Sequence, residues 1–163
     1  MSRTTVKGTR KGFTLVELAV VIVIIGVLAA FGVPQFLKSV ERSKAAEAFN
    51  YLSAVRAAQE RYLAQNGAYS DDLTALDIKQ VAPTYFGGGD DGEAAIAVTA
   101  PVVDSGKPTW YCTLTRKSAT SSYSYTVTFD QNGFVPTTGP TADDPCTDAP
   151  ASTITGDISP MGT

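Results

Sequence analysis

Residues 18–37 read LAVVIVIIGVLAAFGVPQFL, twenty positions without one charged side chain. As an α-helix rising 1.5 Å per residue, the run covers about 30 Å, the thickness of a bilayer's hydrocarbon core. A helix apolar on every side is out of place in a core as small as a 163-residue chain can build. Length and composition therefore point to lipid. The other reading of a basic start and an apolar stretch is a cleaved secretory signal, with Val27–Ala29 as a small-residue cut site. Against it, the run exceeds the roughly 7–15 residues such a signal carries, and a carboxylate, Glu17, stands at its head.

Toward the N-terminus, Arg3, Lys7, Arg10 and Lys11 fall within the first twelve positions with no acid among them. This basic cluster predicts a cytoplasmic N-terminus and a chain that crosses once. The whole chain carries 13 basic and 16 acidic groups, so removing those twelve residues would leave a side-chain balance of -7. A nucleic-acid partner held by bulk charge is not expected of such a surface. Histidine is absent and there are two cysteines, which excludes histidine-dependent triads, mixed Cys/His zinc sites, four-cysteine clusters and histidine-ligated haem.

Toward the C-terminus the helical pattern continues with one apolar face. Ala45, Ala48, Phe49, Leu52, Val55, Tyr62 and Leu63 recur at three- and four-residue steps, with Gln59 as an interruption, while Glu47, Arg56, Glu60 and Arg61 take the wet positions. Asn66-Gly67 is a helix stop, so one helix is expected from Phe13 to about Gln65. Residues 67–93 read as a connection with one helical turn near Asp72–Leu76, closing in a Gly-rich run from Gly87 to Gly92. Alternation then predicts strands around Trp110, Cys112 and Leu114 and around Tyr123, Tyr125, Val127 and Phe129, with a further candidate over Ala94–Ala100 and a tight turn at Asn132-Gly133 into Phe134 and Val135. The fold class that follows is α+β: a long N-terminal helix, half transmembrane and half amphipathic, packed on an antiparallel meander of three or four strands. From Pro136 the chain is rich in Thr, Pro, Gly and Asp, and Cys146 is its expected fastener. Paired with Cys112 it closes a loop of about 35 residues, worth roughly 3–4 kcal/mol in the loop-closure model and requiring an oxidising compartment.

Lys11-Gly12-Phe13-Thr14-Leu15-Val16-Glu17-Leu18, with its basic leader and an apolar span interrupted by Pro34, resembles the prepilin signal of the type IV pilin and type II secretion pseudopilin superfamily. The resemblance implies a leader at residues 1–12 cut after Gly12 by a prepilin peptidase, N-methylation of Phe13, a filament-core helix over 13–37 and a pilin head over 38–163. It also implies a helical homopolymer built at the bacterial inner membrane by an assembly platform and its ATPase, and reaching through the periplasm or outside the cell. The function expected is a structural subunit of a type IV pilus. A pseudopilin of a type II secretion system is the alternative within the superfamily, and a membrane-anchored periplasmic binding domain the alternative outside it. No enzymatic activity is expected.

The residues support that reading in their own terms. A carboxylate costs about 2.5–3.5 kcal/mol at mid-bilayer and less near the interface, and leader removal creates a cation, the Phe13 amine. In a stack of staggered parallel helices, that amine of one subunit can reach Glu17 of the next and pair two otherwise lone charges. Pro34 removes a helix donor and clashes with the carbonyl of Ala30, which predicts a kink; Gly26 and Gly32 are close-packing points. The resemblance adds that Gly26–Pro34 can lose helical structure in a filament. No cofactor is required by any of this. Asp90, Asp91 and Glu93 in the Gly-rich loop, and Asp143 and Asp144 beside Cys146, are candidate calcium ligands, although no twelve-residue EF-hand spacing is present.

Overall fold

The computed structural model describes residues 12–89, 96–104, 107–117, 123–136, 151–154 and 159–160. The chain divides into two compact units, Met1–Leu37 and Lys38–Thr163. Helix α1 (Leu15–Asn66) runs 52 residues and passes through Pro34 without ending. It stops where Asn66-Gly67 predicts: Gly67 takes φ +76°, and its N–H donates to the Leu63 carbonyl at 2.8 Å. A left-handed residue there satisfies a carbonyl that the helix would otherwise leave open.

In the first unit every described residue is exposed, its large apolar side chains from Leu15 at 84% to Val21 at 47%. The helix includes a stretch long and apolar enough to cross a membrane, none of it buried.

The second unit closes its own core. Ala45, Ala48, Phe49, Leu52, Val55 and Ala58 form a buried stripe on α1 at helical spacing. The stripe packs with one face of an antiparallel sheet of five strands: β1 (Phe86–Gly87), β2 (Val98–Asp104), β3 (Lys107–Arg116), β4 (Thr126–Asp130) and β5 (Gly133–Val135). Trp110, Cys112 and Leu114 of β3 and Val127 and Phe129 of β4 all point into that core, and the register pairs Cys112 with Phe129 and Leu114 with Val127. Phe49 meets Phe129 edge-on at 5.6 Å and Phe134 at 5.1 Å, tying helix to sheet through aromatic contacts.

Four expectations need correction. The connection before the Gly-rich run holds a strand, β1, because Phe86 and Gly87 pair with Arg116 and Thr115; a two-residue bridge made by a distant partner leaves no local pattern. The strand expected over Ala94–Ala100 lies at Val98–Asp104. It continues past Pro101 because the register slips by one residue between Thr99 and Val102, and a bulge on an edge strand accommodates a residue with no N–H to give. Together these raise the strand count from three or four to five. Strand β4 begins at Thr126, with Tyr123–Tyr125 outside the ladder, although the Tyr125 carbonyl still accepts from the Arg116 N–H at 3.0 Å. The helical turn near Asp72 is present as a 3₁₀ turn at Leu73–Ala75, capped by Asp72 Oδ1 accepting from the Thr74 N–H at 2.8 Å.

The C-terminal tail is fastened by groups the sequence did not mark. Ile154 is buried in the core, Ser152 Oγ accepts from the Thr128 N–H and donates to the Val135 carbonyl, and the Thr153 N–H donates to the Thr126 carbonyl at 3.1 Å. The Ser152 hydroxyl thus bridges β4 and β5 where their ladder ends, and the tail covers the strand edge beyond it. Covering an edge removes a row of backbone groups that would otherwise invite another strand.

Candidate functional site

At the start of α1 the sequence Thr14-Leu15-Val16-Glu17 forms a reciprocal cap. Thr14 Oγ1 accepts from the Glu17 N–H at 3.2 Å, while Glu17 Oε2 accepts from the Thr14 N–H at 2.9 Å and from the Thr14 hydroxyl at 2.7 Å. Threonine followed three residues later by glutamate is the sequence signature of this motif, and it was legible. Both bonds to the carboxylate fall on Oε2. Oε1 has no partner among the described residues, so one oxygen caps the helix and the other is available to an external cation. Phe13 and Gly12 directly precede this cap and are exposed.

Gly26 and Gly32 lie within α1, and a Cβ built on either meets no atom within 4 Å; the same is true of Gly12. Packing inside a single chain therefore places no demand for glycine at these three positions.

Sequence reasoning missed the cluster at the base of the head. Glu41 is 3% exposed, and its Oε1 accepts from Arg116 Nε at 2.6 Å and from the Tyr125 hydroxyl at 3.2 Å, while Oε2 accepts from Lys44 Nζ at 3.2 Å. Burial pushes the Glu41 carboxyl up, but the Arg116 and Lys44 hydrogen bonds and their charges outweigh it, and the group is held below the ordinary glutamate value. Burial first, then the Glu41 charge, push the Tyr125 phenol well above the ordinary tyrosine range, so it remains a donor. Arg116 also lies over the rings of Tyr85 and Phe86, at 5.4 and 5.9 Å. The signal was available: carried one turn back from Ala45, the buried stripe reaches position 41, and a carboxylate on a core face demands a buried cation.

The polar flanks of the helix, expected to be wet, act as ties. Arg42 Nη2 donates to the Ser159 carbonyl at 3.1 Å, Arg56 Nε to that of Gln131 at 2.9 Å and Arg61 Nη2 to that of Asp77 at 2.9 Å. Glu47 Oε1 accepts from the Thr84 N–H at 2.8 Å. Gln59, the interruption in the apolar stripe, is fully buried and pairs both ends of its amide with the Ser70 backbone, at 2.7 and 3.0 Å.

Cys112 is buried, its thiol donating to the Ala97 carbonyl at 3.4 Å and pushed up to about 12 by burial. Cys146 lies outside the described residues, as do Asp90, Asp91, Glu93, Asp143 and Asp144. Among the described residues no three potential metal ligands come together.

Residues 7–33, which take in the Gly12-Phe13 junction, the cap and most of the exposed apolar helix, match the prokaryotic N-terminal methylation motif. The chain is 35% identical over 103 residues to the type IV major pilin protein PilA of Myxococcus xanthus, covering 60% of this chain and 47% of that protein. It is 37% identical over 75 residues to the type II secretion system core protein G of Pseudomonas aeruginosa, covering 46% and 53%. Together the motif and these relatives support the type IV pilin and pseudopilin superfamily. A longer match, at 27% identity over 132 residues, runs through 77% of this pilin-like chain and 85% of the type IV major fimbrial protein FimA of Dichelobacter nodosus. The first two matches span about half the length of those relatives. No solved structure matches the chain. Membrane anchoring through the apolar helix before assembly fits both the motif and the exposed helix of this pilin-like subunit.

Proposed function

We propose that the chain is a structural subunit of a type IV pilus, not an enzyme. It waits in the inner membrane with residues 1–12 in the cytoplasm, loses them to a prepilin peptidase, is N-methylated on Phe13, and is added to a filament by an assembly platform and its ATPase. The observation that carries this reading is the Glu17 carboxylate: it heads the apolar stretch of α1, which is exposed throughout, with one oxygen capping and the other uncommitted. Methylation leaves the Phe13 amine cationic, so a neighbour's amine can occupy Oε1 while Thr14 keeps Oε2. Gly26, Gly32 and Pro34 serve the stage at which lipid contacts are exchanged for contacts between helices, where small residues permit close approach. A Cys112–Cys146 disulfide belongs to the same reading, and fastens the tail alongside Ile154.

The test is mass analysis of the mature N-terminus together with electron microscopy of the sheared surface fraction. Filaments whose subunit begins at a methylated Phe13 are expected, and Glu17→Ala should slow assembly or disturb its register. A subunit that begins at Met1, or Glu17→Ala filaments indistinguishable from wild type, overturns it. The similarity to a type II secretion core protein favours a second reading, a pseudopilin. Tight calcium binding by the head, through Asp90, Asp91, Glu93, Asp143 or Asp144, together with filaments confined to the periplasm, would favour that reading.

A further inference from the structure

The tripeptide Gln-Asn-Gly occurs twice in the head, as Gln65-Asn66-Gly67 and as Gln131-Asn132-Gly133. Asparagine followed by glycine is the pair most prone to spontaneous deamidation, because the backbone nitrogen of a residue without a side chain is unhindered and its conformation unrestricted. That nitrogen attacks Cγ of the asparagine. A C–N bond forms, the Cγ–Nδ2 bond breaks, and the amide leaves as ammonia, taking the glycine's proton. Water then opens the succinimide ring to aspartate or, with the main chain rerouted through the side chain, to isoaspartate. Since the two tripeptides are identical, the fold sets the difference between them.

Both glycine N–H groups are held, but by unlike partners. The Gly67 N–H donates to the Leu63 carbonyl at 2.8 Å, and Asn66 Nδ2 donates to the Tyr62 carbonyl at 3.1 Å. Both acceptors lie in the last turn of α1, and Asn66 and Gly67 are exposed. Helix ends open at a small fraction of the cost of global unfolding, so one fraying event releases the nucleophile and the amide it attacks together. The Gly133 N–H instead donates to Asp130 Oδ1 at 3.0 Å, which also accepts from the Asn132 N–H at 2.7 Å. Asp130 is 1% exposed and pairs with the buried Gly133 in the β4–β5 ladder, while Arg56 Nε holds the Gln131 carbonyl at 2.9 Å. Freeing this nitrogen requires the hairpin to leave the helix, and a carboxylate beside it opposes the loss of its proton.

We propose that Asn66 is a site of covalent ageing, deamidated by hydrolysis as the chain grows old, and that Asp130 guards Asn132 against the same reaction. Either product at position 66 loses the donor to the Tyr62 carbonyl and places a negative charge at the end of α1 where the helix dipole is already negative. Isoaspartate also adds a carbon to the backbone. Just downstream the chain has no slack to absorb it, because Tyr69 donates to Glu60 and both ends of the Gln59 amide hold Ser70. The modification therefore loosens the junction between the helix and its following loop.

The test incubates the full chain in detergent micelles at mildly alkaline pH, folded or in guanidinium chloride, and follows mass increase and isoaspartate in the peptides that hold each asparagine. In denaturant the two sites should react at rates within about threefold of each other. In the folded chain Asn66 should react about tenfold more slowly than in denaturant, and Asn132 at least about tenfold more slowly again. Hydrogen exchange should likewise be faster at the Gly67 amide than at that of Gly133. Asp130→Asn, which keeps the side chain's volume and an oxygen acceptor but not the charge, should quicken Asn132 several-fold and leave Asn66 unchanged, with Trp110 emission confirming the fold. Asn66→Asp should lower the Tm of the head, and a wild-type Tm would refute the loosening. Equal rates at the two sites of the folded chain, or Asn132 ahead of Asn66, would overturn the proposal. So would an Asn66 left intact in the folded chain long after its denatured counterpart is fully converted.

Discussion

Residues 18–37 and 41–59 belong to one helix and are both rich in apolar side chains, yet they obey different rules. In the second stretch the apolar residues keep to a stripe, the stripe is buried, and the polar positions beside it hold loops in place. In the first they occupy every face and none is buried. A stripe is the mark of a helix that completes a core within its own chain; a run apolar all round needs a surrounding medium or neighbour that is itself apolar. One half of α1 thus completes the chain's own core, and the other is left to an apolar medium or neighbour. Tolerance to substitution should divide along the same line.

The largest effect is expected at the base of the stripe. Glu41→Ala leaves Arg116 buried without its carboxylate and should cost the head about 3–5 kcal/mol, read as a drop in Tm. Glu41→Met combined with Arg116→Met should recover much of this, since replacing both charges removes the desolvation cost along with the attraction. The pair also gives the head an acid limit. The Glu41 carboxyl titrates lower in the folded chain than in the unfolded one, so its stabilisation is complete above the ordinary glutamate value of 4.5 and is lost as pH falls through the folded value beneath it. Glu41→Gln should flatten that part of the pH–stability curve.

The direct comparison of the two halves sets Leu52→Ala against Leu28→Ala. Leu52 is fully buried and Leu28 is 66% exposed. The first should cost about 2–5 kcal/mol of head stability and the second less than about 0.5. Equal losses in thermal unfolding would break the division. Between these extremes stands Gln59→Leu, which keeps the volume but strips both partners from the Ser70 backbone. It should cost about 2 kcal/mol and raise hydrogen exchange around Ser70 more than elsewhere.

How far the sequence could be read follows the same logic. The span, the helix stop at Gly67, the Asp72 turn and the alternation in β3 and β4 arise from neighbours in sequence, so local periodicity and turn chemistry expose them. What escaped depends on distant partners. Strand β1 exists because Arg116 and Thr115 offer it an edge, and the tail is fastened because Ser152 falls where the β4–β5 ladder ends. Glu41 and the Thr14 cap were legible in principle. The stripe extends one turn further than its apolar members, and the threonine-to-glutamate spacing is a local motif that a reading centred on the charge of Glu17 passed over. The acidic candidates and Cys146 fall outside the described residues.

The smallest effect concerns that cap, and it sharpens the comparison at the far end of the helix. Thr14→Ala removes the hydroxyl that accepts from the Glu17 N–H and donates to Oε2, while Thr14→Ser keeps both bonds. Loss of such a cap costs about 1 kcal/mol, confined to the first turn. The Tm of the head should therefore be unchanged, whereas hydrogen exchange at residues 15–18 should quicken several-fold in the alanine variant and remain slow in the serine one. The carboxylate makes the outcome functional. With Thr14 in place Glu17 Oε2 is held by both the hydroxyl and the backbone N–H, whereas in the alanine variant the backbone bond alone remains and the side chain is held less firmly, so that variant should add subunits more slowly even though every charge is retained. Assembly of Thr14→Ala at the wild-type rate, with the first turn demonstrably frayed, would mean that the charge of Glu17 suffices and its orientation is irrelevant.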